Sequence, residues 1–216
     1  MKVIEKFVSI NGEGLKSGEL ATFIRFAGCN LRCPYCDTKY SYENPKYEDL
    51  TIEEIIDFIN ESKVHNVTLT GGEPLLVNGI DILINELSSL GYRIELETNG
   101  SVDISKYYGI PGVSFTLDYK GPTSLMEGRM NLDNYKYIGK NDVVKFVCGS
   151  DMDLIKAKEI ILKYNLNEIS NPFLSPMFGE INLEDMVNFM KDNNLNGVRL
   201  QIQIHKIIWN PNERGV

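Results

Sequence analysis

Strand-like and helix-like segments alternate along the chain, and this alternation constrains the fold more than any other feature. The predicted strands cover residues 22–27, 66–70, 93–97, 113–118, 143–148, 169–175 and 198–205. The predicted helices cover residues 51–59, 80–90, 151–164 and 183–193. Repeated strand–helix units imply a parallel sheet with right-handed crossovers and helices on its faces. Too few units are present for a complete eight-fold barrel, so we expect an α/β fold with a partial, open parallel β/α barrel.

The composition limits the classes of function. The 216 residues fit one domain, spanning 1–216, and carry a formal net charge of −8. Such a chain does not attract nucleic acid through its bulk charge, because that binding depends on neutralised phosphates. No apolar run of about 18 residues could span a membrane, and residues 1–6 lack the apolar centre of a signal peptide. We expect a cytoplasmic protein that binds neither nucleic acid nor membrane.

The ends of the predicted strands carry unusual polar, glycine and cysteine residues. These ends are Gly28-Cys29, the segment Thr70-Gly71-Gly72-Glu73-Pro74, the segment Glu97-Thr98-Asn99-Gly100, Asp118-Tyr119-Lys120, Ser175-Pro176 and Gln203-Ile204-His205. In parallel α/β folds, ligands bind at the carboxyl ends of the strands. All these ends should therefore lie on one rim of the sheet, which we predict to be the functional site.

Three of the four cysteines form a compact pattern. Cys29, Cys33 and Cys36 have the spacing C-x₃-C-x₂-C, which is typical of a metal site in a reducing compartment. Thiolates suit zinc or iron–sulfur clusters. A structural zinc site usually has four protein ligands, and so does an iron–sulfur cluster that only transfers electrons. Cys148 lies in an apolar strand and is typical of a small buried hydrophobic residue. Three ligands leave one position open, which favours chemistry; a zinc knuckle is the alternative.

Other polar residues are candidate substrate contacts. Asn11-Gly12 is typical of a hairpin turn or, together with Glu13, of a ligand-binding loop. Arg25 lies in an apolar strand, where a charge needs a partner. The partner could be a structural carboxylate or an anionic substrate, and the place of Arg25 four residues before Cys29 favours the substrate.

The last predicted strand and the strand at 93–97 add further candidates. In residues 198–205 apolar and polar side chains alternate, so one face would point into the barrel and the other outward. We expect Gln203 and His205 to reach a polar heterocycle near the rim. Glu97 could accept hydrogen bonds from amide or guanidine-like donors.

The cysteine spacing resembles that of the radical S-adenosylmethionine (radical SAM) enzymes, with Tyr35 as the aromatic residue that precedes the third cysteine. The resemblance implies that the three thiolates hold a [4Fe–4S] cluster whose fourth iron binds the amino and carboxylate groups of S-adenosylmethionine. Splitting of that molecule would then yield a 5′-deoxyadenosyl radical. Residues 70–74 resemble the glycine-rich loop of these enzymes, in which backbone groups and Glu73 would pair with the ammonium of the cofactor.

A more specific resemblance covers nearly the whole chain. It includes Ile10-Asn11-Gly12-Glu13-Gly14, Phe26-Ala27-Gly28-Cys29-Asn30-Leu31, Cys36-Asp37-Thr38, Glu97-Thr98-Asn99-Gly100, Gln203-Ile204-His205-Lys206 and Arg214-Gly215-Val216. Together these segments resemble the 7-carboxy-7-deazaguanine synthase family of queuosine and deazapurine biosynthesis. The resemblance implies that 6-carboxy-5,6,7,8-tetrahydropterin loses hydrogen from C6 and contracts its ring with loss of ammonia. The product would be 7-carboxy-7-deazaguanine.

The same resemblance implies a set of contact residues. Substrate contacts would be Ile10, Asn11, Gly12, Arg25, Thr70 and the terminal carboxylate of Val216. Contacts to S-adenosylmethionine would be Tyr35, Cys36, Asp37, Gly72, Asp118, Tyr119, Lys120, Ser175 and Pro176. The family also uses Mg²⁺, for which Thr38 would be the ligand. Eleven residues follow His205, a reach of at most about 36 Å, enough for the tail to fold back across the site.

Two departures from the family pattern matter. Many members have Gln in place of Asn11, and many have Ser-Pro-Lys in place of Asp118-Tyr119-Lys120, of which only the lysine transfers directly. The family resemblance also implies a homodimer and an electron donor such as flavodoxin or ferredoxin. The alternative functions are a radical SAM activase that generates a glycyl radical on a partner protein, and a metal-binding interaction module without catalysis.

Overall fold

A computed structural model describes all residues, 1–216, as a nine-stranded sheet with helices packed against it. The strands are β1 (Lys2–Ile10), β2 (Leu20–Phe26), β3 (Glu48–Asp49), β4 (Asn66–Gly71), β5 (Arg93–Thr98), β6 (Val113–Tyr119), β7 (Val143–Cys148), β8 (Asn171–Pro176) and β9 (Arg199–Leu200). Their order is β3-β1-β2-β4-β5-β6-β7-β8-β9. All neighbours from β2 to β9 are parallel, whereas β1 is antiparallel to both β2 and β3. Because β3 and β9 are free edges, the predicted open barrel is confirmed.

Six α-helices accompany the sheet. They are α1 (Ile52–Ser62), α2 (Ile80–Ser89), α3 (Asp151–Lys163), α4 (Leu166–Ile169), α5 (Leu183–Asp192) and α6 (His205–Ile208). The capping box at the start of α1 is present: the Thr51 hydroxyl accepts from the Glu54 amide, and the Glu54 carboxylate accepts from the Thr51 amide. After α2, Gly91 adopts a φ of +83°, which favours glycine. None of these helices combines the length and the apolar character that a membrane crossing needs.

The two faces of the sheet differ in chemistry because side chains alternate along each strand. On β5, Ile94 and Leu96 are fully buried in the hydrophobic core beneath the helices. Glu95 is also buried, but its side chain lies on the other face of the sheet, away from the hydrophobic core. There it is opposite Thr68 of β4 in the strand register. That second face carries the buried polar residues of the site.

The sheet curves around the loop that follows β1. This loop, residues 11–14, is called the barrel loop. Its Asn11 contacts Thr68 of β4, and its Glu13 contacts Lys145 of β7. Its Gly14 contacts Gln201, which follows β9. In a flat sheet β4 and β9 would be about 24 Å apart, farther than four residues extend. The polar face is therefore the concave interior of a partial barrel.

Two parts of the sequence prediction were wrong. Strand β1 was not predicted, because its charged residues obscure the apolar alternation of the strand. The predicted strand at 198–205 is reduced to the two residues of β9. The Gln201 amide still donates to the Leu174 carbonyl of β8, but the Ile204 amide donates to the Gly12 carbonyl of the barrel loop. Helix α6 then begins at His205.

Candidate active site

The cysteine loop follows β2 at the predicted rim. Cys29, Cys33 and Cys36 are free thiols; Cys33 is buried and the other two are half-buried. The Cys36 amide donates to the Cys33 carbonyl at 3.2 Å, and the side-chain amide of Asn99 lies 3.6 Å from the Cys29 sulfur. Cys148 is fully buried in β7, as predicted.

No three His, Cys, Asp or Glu side chains converge on a single point as ligands to one metal ion would. In a [4Fe–4S] cluster each thiolate binds a different iron, so the sulfur atoms are spread around the cluster. A short loop that carries three free thiols and N–H groups aimed at one sulfur fits such a cluster. Burial raises the pKa of the Cys33 and Cys36 thiols, which the charge of bound iron would reverse.

The glycine-rich loop after β4 packs directly on the cysteine loop. The Glu73 amide donates to the Gly28 carbonyl at 2.8 Å, and the Gly72 amide donates to the Phe26 carbonyl at 3.2 Å. A Cβ atom on Gly72 would lie 2.1 Å from the Gly28 oxygen. Glycine is therefore required at position 72 for the two loops to meet.

The pairing of Glu73 with the cofactor ammonium stays a prediction, and in the structure the Glu73 carboxylate has hydrogen-bond partners within the protein. This carboxylate is fully buried and accepts hydrogen bonds from the amides of Leu75 and Asn99 and from the Thr98 hydroxyl. Burial raises the pKa of Glu73 to about 7, against the opposing effect of these donors. These hydrogen bonds tie the loop after β4 to the end of β5.

The segment after β6 divides between the two faces. Asp118 and Lys120 point into the barrel, where the Lys120 ammonium donates to Asp118 Oδ2 at 2.8 Å. Tyr119 points the other way: it is buried against Phe146, and its hydroxyl donates to Glu127. The predicted cofactor contact of Tyr119 is thus wrong for its side chain, because period-two alternation places only its neighbours in the site.

Several buried polar atoms at the rim have no hydrogen-bond partner. They belong to Tyr35 (hydroxyl), Ser175 (hydroxyl) and Asn11 (Nδ2). Buried polar atoms are rarely left without a partner, and those that are require an explanation. All three atoms belong to residues predicted to contact S-adenosylmethionine or the substrate, so this donor and acceptor set fits bound polar groups.

The barrel loop brings the predicted substrate residues together. The Thr68 hydroxyl donates to Asn11 Oδ1 at 3.0 Å, and the Lys145 ammonium lies 3.1 Å from Glu13 Oε2. Gly12 lies against His205, since a Cβ on Gly12 would lie 1.9 Å from the imidazole Nδ1. His205 therefore reaches the site from the start of α6 rather than from a strand.

Arg25 has a structural partner. Its Nε atom donates to Glu5 Oε2 at 2.8 Å, and the Tyr40 hydroxyl donates to the same oxygen. The other Glu5 oxygen receives Arg214 at 2.7 Å, and the Arg214 guanidinium stacks on Tyr40. The structural carboxylate that competed with a substrate is therefore present, and through Arg214 it also holds the chain tail, whose last residue, Val216, is half-buried.

The remaining predicted residues line the rim or adjoin it. The half-buried Thr38 donates from its hydroxyl to Asp37 Oδ1 at 2.8 Å, and Asp37 Oδ2 lies 3.5 Å from the Lys206 ammonium. Thr70 is buried at the end of β4. Half-buried positions are occupied by Ile10, Glu97, Pro176 and Gln203. Burial raises the pKa of Glu97, while the charge of Lys145 opposes this.

Three residues of the site were missed from the sequence. Lys145 interrupts the apolar strand β7 just as Arg25 interrupts β2, so the same signal could have identified it. Gln201 accepts from the Gly14 amide and donates to the Gly14 carbonyl, which holds the barrel loop in place. Glu5 carries no local signal, because its role depends on pairing β1 with β2.

A family model described as the Radical SAM superfamily matches residues 23–192. A protein of Clostridium acetobutylicum, named 7-carboxy-7-deazaguanine synthase, is 58% identical over 100% of this chain and 99% of its own length. A protein of the same name from Leptospira interrogans is 37% identical over 99% of this chain and 97% of its own. This chain belongs to the 7-carboxy-7-deazaguanine synthase family, within the radical SAM superfamily.

Solved structures share the fold of this synthase family member. The crystal structure of QueE from Escherichia coli aligns with a TM-score of 0.67 at 20% identity, covering 94% of this chain and 93% of that one. Streptococcus suis SuiB bound to its precursor peptide SuiA aligns with a TM-score of 0.60 at 16% identity, over 83% of this chain and 48% of that one. The synthase family membership favours deazapurine biosynthesis over the activase alternative, and it implies a [4Fe–4S] cluster and S-adenosylmethionine.

Proposed function

We propose that this chain converts 6-carboxy-5,6,7,8-tetrahydropterin into 7-carboxy-7-deazaguanine with loss of ammonia. The observation that carries the proposal is the arrangement of the barrel loop. Asn11, Gly12 and Glu13 lie inside the curved sheet together with Lys145 and His205. A compact polar molecule held there would lie beneath the cysteine rim.

The cofactor side of this site is built mainly from backbone and a few charged groups. Cys29, Cys33 and Cys36 would hold the cluster, and S-adenosylmethionine bound to it would supply a carbon radical able to remove a hydrogen atom. The loop at Gly71 and Gly72 would place backbone groups against the cofactor. Its remaining polar groups would contact Tyr35, Cys36, Asp37, Asp118, Lys120, Ser175 and Pro176.

The substrate side complements a carboxylated pterin. The N–H groups of the pterin ring would donate to the carboxylates of Glu13 and Glu97, and Asn11 Nδ2 would donate to a ring acceptor. Arg25 uses only its Nε atom for Glu5, so its two terminal nitrogen atoms are available for a substrate carboxylate. Ile10, Gly12, Thr70, Gln203, His205 and the Val216 carboxylate complete the proposed contacts.

Thr38 is the proposed Mg²⁺ ligand. Its hydroxyl lies two residues beyond Cys36 and beside the Asp37 carboxylate, and hard oxygen donors are those that Mg²⁺ prefers. Mg²⁺ held there would neutralise the substrate carboxylate on the side facing the cysteine loop. The chain would thus fix the orientation of the substrate carbon that bears the carboxylate.

The wider setting follows from the same proposal. We propose a single radical SAM core domain over residues 1–216 that works in the cytoplasm as a homodimer. Flavodoxin or ferredoxin would supply the electron. The homodimer and the electron donor follow from the family resemblance, whereas the single domain and the cytoplasmic location follow from the length and composition of the chain.

Product analysis tests the proposal. The protein is reconstituted anaerobically with iron and sulfide, then supplied with reductant, S-adenosylmethionine, Mg²⁺ and the carboxytetrahydropterin. We expect 7-carboxy-7-deazaguanine and ammonia by mass spectrometry and ammonia assay, and no product from Cys36→Ser. A protein that cleaves S-adenosylmethionine but forms no deazapurine would refute the substrate assignment and leave the radical class intact.

A further inference from the structure

A row of four buried charges crosses the interior of the barrel. The Lys120 ammonium lies 2.8 Å from Asp118 Oδ2, and Lys145 lies 3.1 Å from Asp118 Oδ1 and 3.1 Å from Glu13 Oε2. The four side chains are only 10–20% exposed. Signs alternate along the row from Lys120 to Asp118, Lys145 and Glu13, so every charge has an opposite neighbour.

Lys145 is the link between the two halves of the row. It lies opposite Asp118 in the register of β6 and β7, and it reaches across the barrel to the loop after β1. Although desolvation opposes it, the carboxylates of Asp118, Glu13 and Glu97 raise the pKa of Lys145 well above its ordinary value. Lys145 is therefore a permanent cation in this interior.

The two ends of the row face different proposed ligands. Asp118 and Lys120 belong to the proposed S-adenosylmethionine surface, and Asp118 Oδ1 accepts no hydrogen bond despite its proximity to Lys145. Glu13 belongs to the proposed substrate loop. A ligand group that donates to Asp118 would restrict the Asp118 carboxylate and hence the Lys145 ammonium beside it.

We infer that Lys145 is a positioning residue that couples S-adenosylmethionine binding to substrate binding. This inference rests on the proposed function. When the cofactor immobilises Asp118, Lys145 and its partner Glu13 are immobilised with it. The substrate then binds with a smaller loss of conformational entropy. Coupling between two sites is reciprocal, so the substrate must raise the affinity for S-adenosylmethionine by the same factor.

Binding without chemistry tests the inference. Cluster-reconstituted protein without reductant is titrated anaerobically with S-adenosylmethionine by calorimetry, in the presence and absence of the carboxytetrahydropterin. For the unaltered protein we expect the substrate to lower the Kd of S-adenosylmethionine by about tenfold, within the usual range of coupling. In Lys145→Met the factor should fall below about twofold, and Lys145→Arg, which keeps the charge, should retain part of it.

Lys136→Met is the matched control, because Lys136 pairs with Asp133 on the surface and should leave the coupling unchanged. If Lys145→Met does not fold, Lys145→Gln removes the same charge but keeps a polar side chain, and it should also abolish the coupling. An equal factor in the unaltered protein and in the folded variant would overturn the inference alone. If the unaltered protein binds S-adenosylmethionine but not the pterin, both the proposed function and the inference are contradicted.

Discussion

The amide of Glu73 donates a 2.8 Å hydrogen bond to the carbonyl of Gly28, which joins the glycine-rich loop to the residue before the first cluster cysteine. Gly72 lies at this contact, where a Cβ atom would meet the Gly28 oxygen at 2.1 Å and the Cys29 Cβ at 2.8 Å. Backbone cannot yield as a flexible side chain can. The cysteine loop and the glycine-rich loop are therefore one packed unit.

Gly72→Ala should separate these two loops. We expect the affinity for S-adenosylmethionine to fall by at least about tenfold, because a displaced glycine loop removes backbone contacts worth 1.4 kcal/mol or more. Calorimetric titration of the reconstituted protein measures this. Gly128→Ala is the control, since nothing lies within 4 Å of its added Cβ. Normal affinity in Gly72→Ala would contradict the assigned contact.

The cysteines should separate into two classes. Cys36→Ser should lose most of the iron and labile sulfide, because a hydroxyl is a poor ligand for this soft metal site. Cys148→Ala should keep its iron, although the small cavity left in the buried core should lower the free energy of unfolding by about 1 kcal/mol. Iron analysis and chemical denaturation distinguish them. A loss of iron in Cys148→Ala would show that the fourth cysteine is a ligand.

The chain tail should act on the substrate and not on the cofactor. Arg214→Ala removes the ion pair with Glu5 and the stacking on Tyr40. We expect the KM for the pterin to rise by about twofold to fivefold, the range of a half-exposed pair, with the Kd for S-adenosylmethionine unchanged. Glu213→Ala, at an exposed neighbouring position, is the control. A changed Kd for S-adenosylmethionine in Arg214→Ala would contradict the prediction that the tail acts only on the substrate.

Glu95 should make the protein less stable as the pH rises. Burial and the neighbouring Glu97 raise the pKa of Glu95 to about 7, above the value of about 4.3 in an unfolded chain. Below pH 4 both states are protonated; between pH 4 and 7 the unfolded state loses its proton first, so the free energy of unfolding falls.

Glu95→Gln removes this effect. The substitution should raise the free energy of unfolding at pH 8 by up to about 3 kcal/mol relative to its effect at pH 4. Denaturation at both pH values measures the change, and Glu86→Gln, at an exposed position, is the control. A pH-independent effect of Glu95→Gln would show that Glu95 has the same pKa in the folded and unfolded states.

Features encoded within a few adjacent residues could be predicted from the sequence. The cap at Thr51 and the alternation of strands with helices depend on short stretches of chain, and both were predicted correctly. The strand at 198–205 was predicted from the same alternation but was wrong. Its continuation is decided by Gly12, almost two hundred residues away, which accepts the Ile204 amide.

Side-chain partners on neighbouring strands could not be predicted from the sequence, because they too depend on residues that are distant in the chain. Arg25 showed that it needed a partner, but not that Glu5 is the residue opposite it in β1. Tyr119 was grouped with Asp118 and Lys120 because they are adjacent in the chain, although alternation separates their faces. The row through Lys145 requires the register of β6 with β7 and the curvature of the sheet together.

The fate of the C6 hydrogen tests the central claim most directly, that the cysteine rim is directed at one carbon of the pterin. The reconstituted enzyme is supplied with carboxytetrahydropterin deuterated at C6. After many turnovers, S-adenosylmethionine is recovered and its deuterium content is measured by mass spectrometry. Because the cofactor is expected to be regenerated, deuterium should accumulate in the recovered S-adenosylmethionine as 7-carboxy-7-deazaguanine forms. Product formation with no deuterium in S-adenosylmethionine or in its cleavage product would contradict the account.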